Sequence, residues 1–307
     1  MSNDAGIPRW YFTLLSVSAV MTYLLIVMGG VVCMTGSGLG CPDWPTCYGR
    51  LLPPPDLAAI IEMTHRFFAV TTTPLLVAVA VVGWRRYPSI WWLRWPPTLA
   101  VLLALVVSVF GAFAVLTGLP PILAAVDLGS ALLVLALVVA TWGAARLRQF
   151  HSSLPDRLAF HTPVARLTFA ALIATFLVLL SGIFTAEPGS IARCVGWPLY
   201  GPVAEAAEAG RLLPLARRAL GLAAAGLILA ALVRAWGLGH APIRRVVVVT
   251  ALALAAEAGL GALLPLHGFS LVAAALYTAA ASALWALLAL LTALTGLTSD
   301  ADRRSAP

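Results

Sequence analysis

The sequence predicts an all-α integral membrane protein of eight transmembrane helices, built as two tandem, parallel-repeat four-helix bundles. Three observations predict it. Of 307 residues, 61% are hydrophobic and only 10% charged, and the mean hydropathy is +0.97. Apolar runs of about 20 residues recur along the chain, the length a helix needs to cross a bilayer. A distinctive loop pattern also occurs twice, each time after the first helix of a four-helix set.

The apolar runs are continuous rather than alternating, which excludes a β-barrel whose strands would alternate between lipid and lumen. Helices satisfy their own backbone amides, so they are the form such runs take in lipid. Eight runs fall at roughly 10–33, 57–83, 95–117, 121–145, 164–187, 211–235, 243–264 and 269–294. Met1 to Arg9 is short and polar, with no small-residue cleavage site after a short apolar core, so the first run reads as a retained helix.

The net charge of +7 comes entirely from arginine on the basic side, because the chain has no lysine. The arginines cluster between apolar runs: Arg85, Arg86 and Arg94, then Arg146, Arg148, Arg157 and Arg166, then Arg234, Arg244 and Arg245, with Arg303 and Arg304 in the tail. The positive-inside rule makes these loops and both termini cytoplasmic. The opposite turns, Gly118-Leu-Pro-Pro and Leu264-Pro-Leu-His-Gly, are nearly uncharged. With no organellar targeting segment visible, a plasma (inner) membrane location is the simplest expectation. No basic stripe interleaved with aromatics occurs, which argues against a nucleic-acid partner.

The two longer loops on the outer side look alike. One reads Gly36-Ser-Gly-Leu-Gly-Cys41-Pro-Asp-Trp44-Pro45-Thr-Cys47-Tyr-Gly, the other Gly189-Ser190-Ile-Ala-Arg-Cys194-Val-Gly-Trp197-Pro198-Leu-Tyr200-Gly. Ser, Cys, Trp and Pro match in one register, which predicts a duplication of halves 1–155 and 156–307. The halves share one orientation, unlike the inverted repeats of many transporters.

Cys41 and Cys47 lie on the oxidising side, where disulfides persist, and that compartment favours a bridge between them over free thiols or a metal. In the second loop Tyr200 stands where the partner of Cys194 would be. Cys33, ending the first segment, reads as a small buried apolar residue.

Ionisable groups are costly at membrane depth and mark functional positions. Glu62, His65 and Arg66 stand three and four residues apart in the second segment and share one helix face. A neutral imidazole there suits axial ligation of haem iron, and an arginine beside it suits a haem propionate. Glu62 suits proton handling or stabilisation of developing positive charge. The competing reading is an ordinary i,i+4 ion pair with a spectator histidine; the preceding loop favours the site. Asp127, early in the fourth segment, falls at a similar depth and calls for a partner, either Arg66 or a ligand. Its alternative is a helix-dipole interaction in the first turn. In the second half Arg217-Arg218 takes the place of His65-Arg66, and Tyr277 falls near the place of Asp127. Arginine cannot ligate iron. Arg218 is read as pairing an anion or Glu205/Glu208, or as reaching to the interface, and Glu257 as bonding between helices. His267 reads as a solvated turn residue, and His151 and His161 receive no role.

The run Gly29-Gly30-Val-Val-Cys-Met-Thr35-Gly-Ser37-Gly38-Leu39-Gly-Cys41-Pro-Asp43-Trp44-Pro45-Thr-Cys47-Tyr-Gly49, followed by Glu62-x-x-His65-Arg66, resembles the haem A synthase family. The resemblance implies oxidation of a ring methyl of haem O to a formyl group, by successive hydroxylations, to supply haem A to terminal oxidases. It also implies a substrate-haem site in the first half, a haem b cofactor in the second, and the bilayer, haem O synthase and oxidase subunits as surroundings. By this resemblance Glu62 is catalytic, and Cys41 and Cys47 are the paired loop cysteines. Of the four histidines that the family pattern offers, only His65 is present: Asp127, Arg217 (or Ala216) and Tyr277 or a neighbour stand at the other places, and Cys33 replaces an arginine. A bis-histidine haem b in the second half is therefore not expected. A haem in the first half would bind through His65, with Asp127 or water opposite. The alternative function is a non-catalytic haem-binding or oxidase-assembly protein of the same fold. A transporter is disfavoured by the parallel repeat and the few midplane charges.

Overall fold

A computed structural model describes residues 7–149, 158–185, 208–267 and 270–304. Its helices are α1 (Arg9–Met34), α2 (Leu57–Arg86), α3 (Trp91–Leu116), α4 (Pro121–Arg148), α5 (Pro163–Thr185), α6 (Glu208–Trp236), α7 (Ala241–His267) and α8 (Leu271–Arg304). Each holds a stretch long and apolar enough to cross a membrane, and no strand occurs among the described residues. The chain is a multi-pass membrane protein.

Helix starts follow local chemistry. Asp56 caps α2, its carboxylate accepting the amide of Ala59 at 3.0 Å. Pro121 occupies the first turn of α4, where a missing amide proton costs nothing, after a turn in which Leu119 takes a positive φ of 58°. Two ends differ most from the sequence expectation. Helix α3 begins at Trp91 rather than 95, where Arg94 lies over the Trp84 ring at 4.9 Å and the Trp84 indole donates to Thr98 Oγ1 at 2.8 Å. Helix α8 runs to Arg304 rather than 294, because hydropathy marks the apolar slab while a helix continues as long as its own hydrogen bonds do. His267 belongs to the end of α7 rather than to a turn.

The helices pack as two rings. In one, α1, α2, α3 and α4 are neighbours in order and α4 closes on α1; in the other, α5 to α8 do the same. Helix α8 also packs on α1 and α4, and α4 on α5, so the rings share a seam. Polar groups fasten it: Trp285 Nε1 donates to the Leu132 carbonyl at 2.8 Å, and Tyr23 Oη donates to the Ala279 carbonyl at 2.9 Å. Around Trp285 pack Ile26, Leu132 and Leu135, all buried. Outward positions carry exposed large apolar residues such as Val70, Leu102, Phe113, Leu222 and Val233. Lipid tails accept such a surface, whereas water would not. The second loop, with Cys194, Trp197, Pro198 and Tyr200, lies outside the described residues, as do His151, Arg157 and Glu205.

If the seam depends on Trp285, Trp285→Ala should lower stability in detergent by about 3–5 kcal/mol through cavity formation. Trp285→Phe, which loses the indole donor and part of the ring, should cost less, about 1–2 kcal/mol. Chemical unfolding followed by circular dichroism measures both, and equal costs would rule out the ring as the packing element.

Candidate functional site

The site is built where the 35–56 loop folds back onto the start of α2. Cys41 and Cys47, six residues apart with Cα atoms 4.7 Å from each other, form a disulfide. The metal alternative for this pair is thereby overturned: a bridged sulfur has no thiolate to offer, and no metal-holding group of His, Cys, Asp or Glu occurs among the described residues. Both cysteines are fully buried against Ala59 and Met63 of α2. Backbone hydrogen bonds in both directions join Cys47 to Arg50, at 2.8 and 3.1 Å.

Asp43 organises the turn between the cysteines. Its carboxylate accepts the Thr46 hydroxyl and the amides of Tyr48, at 2.6 Å, and Gly49, at 2.9 Å. These donors, the Thr46 hydroxyl first and the Gly49 amide next, hold its pKa below the usual carboxylate value of 3.8. Exposed Trp44, Tyr48, Leu51 and Leu52 project from the loop, the residue types that settle at a membrane interface.

Arg66 locks this loop to the helix. Its Nε donates to Glu62 Oε1 at 3.1 Å, one turn back, and its Nη1 donates to the carbonyls of Asp43 at 2.7 Å and Thr46 at 2.6 Å. Both members of the pair are buried. Arg66 Nη2 is buried without a hydrogen-bond partner. The expected Arg66–Asp127 pair does not form; Nε and Nη1 of Arg66 are engaged by Glu62 and the loop carbonyls instead. Sequence reasoning missed Asp43 and Thr46 as Arg66 partners; main-chain acceptors leave no trace in residue type.

Below the loop, one residue from each helix of the first ring forms a layer. His65 of α2 lies against Gly29 of α1, where an added Cβ would stand 3.2 Å from His65 Cε1. Asp127 of α4 lies against Gly111 of α3, where an added Cβ would stand 3.3 Å from its Oδ1. The missing side chains at Gly29 and Gly111 make room for the imidazole and the carboxyl group. The His65 ring meets the Leu25 backbone, and its Nδ1 is buried without a partner. Asp127 is within electrostatic reach of Glu62. A cavity of about 30 Å³ opens deeper in the ring, lined by Thr22, Ala69, Thr72, Ser108 and Ala131 among others.

Cys33 corrects the sequence reading. It is exposed and disulfide-bonded rather than a buried apolar residue, because it falls on the outward side of α1 while its neighbours Val32 and Met34 are buried. In the second ring Arg217 and Tyr277 are both buried, Arg217 Nε donates to Ser181 Oγ at 3.2 Å, and Glu257 lies beside Tyr277. Glu257 Oε2 and the Tyr277 hydroxyl are both buried without a hydrogen-bond partner, so the interhelical bond expected of Glu257 is not formed by these atoms.

Two measurements test the loop. Cys47→Ser should destabilise it by about 2 kcal/mol, the scale expected for closing a short loop, read from amide exchange at Tyr48 and Gly49. Because the Asp43 pKa is lowered on folding, its contribution is present above pH 3.8 and is lost as pH falls through the lower folded value. Protection of these amides should therefore hold at neutral pH and fall on acidification, and Asp43→Asn should remove the pH dependence.

Comparison with known proteins places this architecture. The family model described as cytochrome oxidase assembly protein, COX15-CtaA, matches residues 12–60 and 56–289. The haem A synthase of Symbiobacterium thermophilum is 29% identical over 300 residues, covering 91% of this chain and 92% of that protein. The haem A synthases of Exiguobacterium sibiricum and Bacillus pumilus are 31% and 29% identical over 195 and 202 residues, covering 59% and 62% of this chain. The matched region spans 62% and 63% of the lengths of those two relatives. With the model matching nearly the whole bundle and with the stapled loop set on α2, the chain belongs to the COX15-CtaA cytochrome oxidase assembly protein family.

Proposed function

We propose that this protein is a haem A synthase-like membrane enzyme that oxidises a ring methyl of haem O to a formyl group, and that its substrate haem binds in the first ring. The observation that carries the reading is the layer of His65 and Asp127 beneath a loop held by a disulfide and by Arg66. An imidazole nitrogen buried without a hydrogen-bond partner is satisfied by a bond to iron, which makes His65 the axial ligand. The remaining Nη2 of Arg66 suits a propionate oxygen, and Asp127 lines the opposite side. Glu62, held in place by Arg66, is the catalytic carboxyl group that handles protons near the reacting methyl. The small cavity deeper in the ring is lined by neither His65 nor Asp127 and is not the haem site of this reading.

In this reading the halves are 1–155 and 156–307, the arginine-rich ends and both termini face the cytoplasm, and the membrane is the plasma (inner) membrane. Haem O synthase upstream and terminal oxidase subunits downstream are the partners it implies. A second reading, a non-catalytic haem-binding or oxidase-assembly protein, is favoured by one observation: the Glu62 carboxylate is already committed to Arg66.

Co-expression with a haem O synthase, in a host lacking haem A, separates the two. Extracted haems should include haem A with the wild-type chain, and Glu62→Gln should reduce conversion about 100-fold or more. Bound haem O that stays unchanged would select the second reading. The haem absorption band of the purified protein should disappear in His65→Ala; a band of undiminished intensity would refute the ligand assignment.

A further inference from the structure

Where α2 turns into α3, the chain gathers positive charge and aromatic rings at one end of an outward groove. From Pro74 to Pro120 the sequence holds Arg85, Arg86 and Arg94 and no aspartate or glutamate. Among the described residues none of these three arginines forms an ion pair. Arg94 lies over the Trp84 ring at 4.9 Å, and its Nε is buried without a hydrogen-bond partner. The two helices are held closely at this end. Pro97 has no amide proton to give the Leu93 carbonyl one turn back, and that carbonyl stands against Gly83, where an added Cβ would lie 1.7 Å from its oxygen. The Trp84 indole donates to Thr98 Oγ1 at 2.8 Å, and its ring meets Trp95 edge-on with centroids 5.3 Å apart. Beside this joint the helices leave a groove of about 400 Å³. Trp84, Arg85 and Thr98 form its polar end, and Val77, Val81 and Val101 its apolar floor. Val77, Val81, Trp84 and Arg85 are exposed, so the groove opens toward lipid rather than into the bundle.

We propose that this groove seats one anionic phospholipid, with its phosphate at Arg85 and an acyl chain along Val77, Val81 and Val101. Charge complementarity sets the occupant. Three arginines with no carboxylate beside them attract a phosphodiester, and a guanidinium donates to phosphate oxygens in pairs. Apolar match alone would accept any lipid, so the arginines confer the choice. Trp84 and Trp95, each with an apolar body and one N–H, are the residue type that settles at headgroup depth. From Arg85 to Val77 the helix runs eight residues, roughly 12 Å, enough for the upper part of an acyl chain below a headgroup held at the interface. The volume falls within the roughly 300–1,000 Å³ of small-molecule sites. The contact of Gly83 with Leu93 and the bond from Trp84 to Thr98 fix the polar end, so its shape exists before a lipid arrives. In the orientation proposed above, this end faces the leaflet that carries anionic lipid.

Only the orientation is taken from the proposed function, and a titration in detergent does not depend on it. Full-length protein is titrated with dioleoyl phosphatidylglycerol and, separately, with dioleoyl phosphatidylcholine, and bound lipids per chain are counted by native mass spectrometry. The wild-type chain should hold one phosphatidylglycerol more tightly than phosphatidylcholine. Arg85→Gln and Arg94→Gln should each weaken phosphatidylglycerol binding about fivefold, the effect of one basic residue near an anionic lipid surface, and leave phosphatidylcholine unchanged. Val81→Trp, which fills the apolar floor, should weaken phosphatidylglycerol binding while the helical circular dichroism signal stays the same. Arg234→Gln, which removes the same charge from the end of α6, should leave the preference intact, and excess inorganic phosphate should not displace the lipid. Equal affinity for the two lipids would overturn the proposal. So would an equal loss in Arg234→Gln and Arg85→Gln, no effect of Val81→Trp, or displacement by inorganic phosphate. A chain that makes no haem A yet keeps the preference that depends on Arg85 would count against the proposed function and support the lipid site.

Discussion

Lipid gives a polypeptide no hydrogen-bonding partner, and every feature of this protein answers that constraint. Backbone amides are satisfied within eight helices, and outward side chains are left apolar. Polar side chains inside the bundle must then find partners on other helices. The Trp285 indole on the Leu132 carbonyl and the Tyr23 hydroxyl on the Ala279 carbonyl do so across the seam between rings. Hydrophobic burial distinguishes little between a helix in lipid and a helix against another helix, so such polar contacts and close packing fix which surfaces meet.

Arg66 is where this constraint turns into a site. A buried guanidinium has five donors to place, and a single carboxylate cannot satisfy them all. It therefore draws in Glu62 and the two loop carbonyls, which pins the disulfide-closed loop over the layer of His65 and Asp127. Asp43 does the same in the loop itself, gathering a hydroxyl and two amides around one carboxylate. The loop is thus held at two levels: by covalent closure within itself, and by one charged side chain from the helix below.

The rings have the same order of neighbours but different interiors. In the first, glycines on α1 and α3 leave space for an imidazole and a carboxyl group, with a small cavity deeper in. In the second, Arg217, Glu257 and Tyr277 are buried and aliphatic side chains fill the core.

Much of this was legible in residue order. Apolar runs marked all eight helices because crossing a bilayer demands a fixed apolar length, and the Glu62–Arg66 ion pair, the reading set against the haem site, forms because helix geometry puts the two one turn apart. The oxidising compartment pointed to the Cys41–Cys47 bridge. Contacts between segments distant in sequence were not legible, since no local periodicity encodes them. The engagement of Arg66 by the carbonyls of Asp43 and Thr46, rather than by Asp127, was decided by how the loop folds back on α2. The exposed, bonded state of Cys33 and the hydrogen bond from Arg217 to Ser181 were decided likewise by the packing of whole helices. Sequence determined which segments cross the membrane and which side chains are costly there; tertiary structure decided which partners relieve that cost, because partners are chosen by three-dimensional proximity.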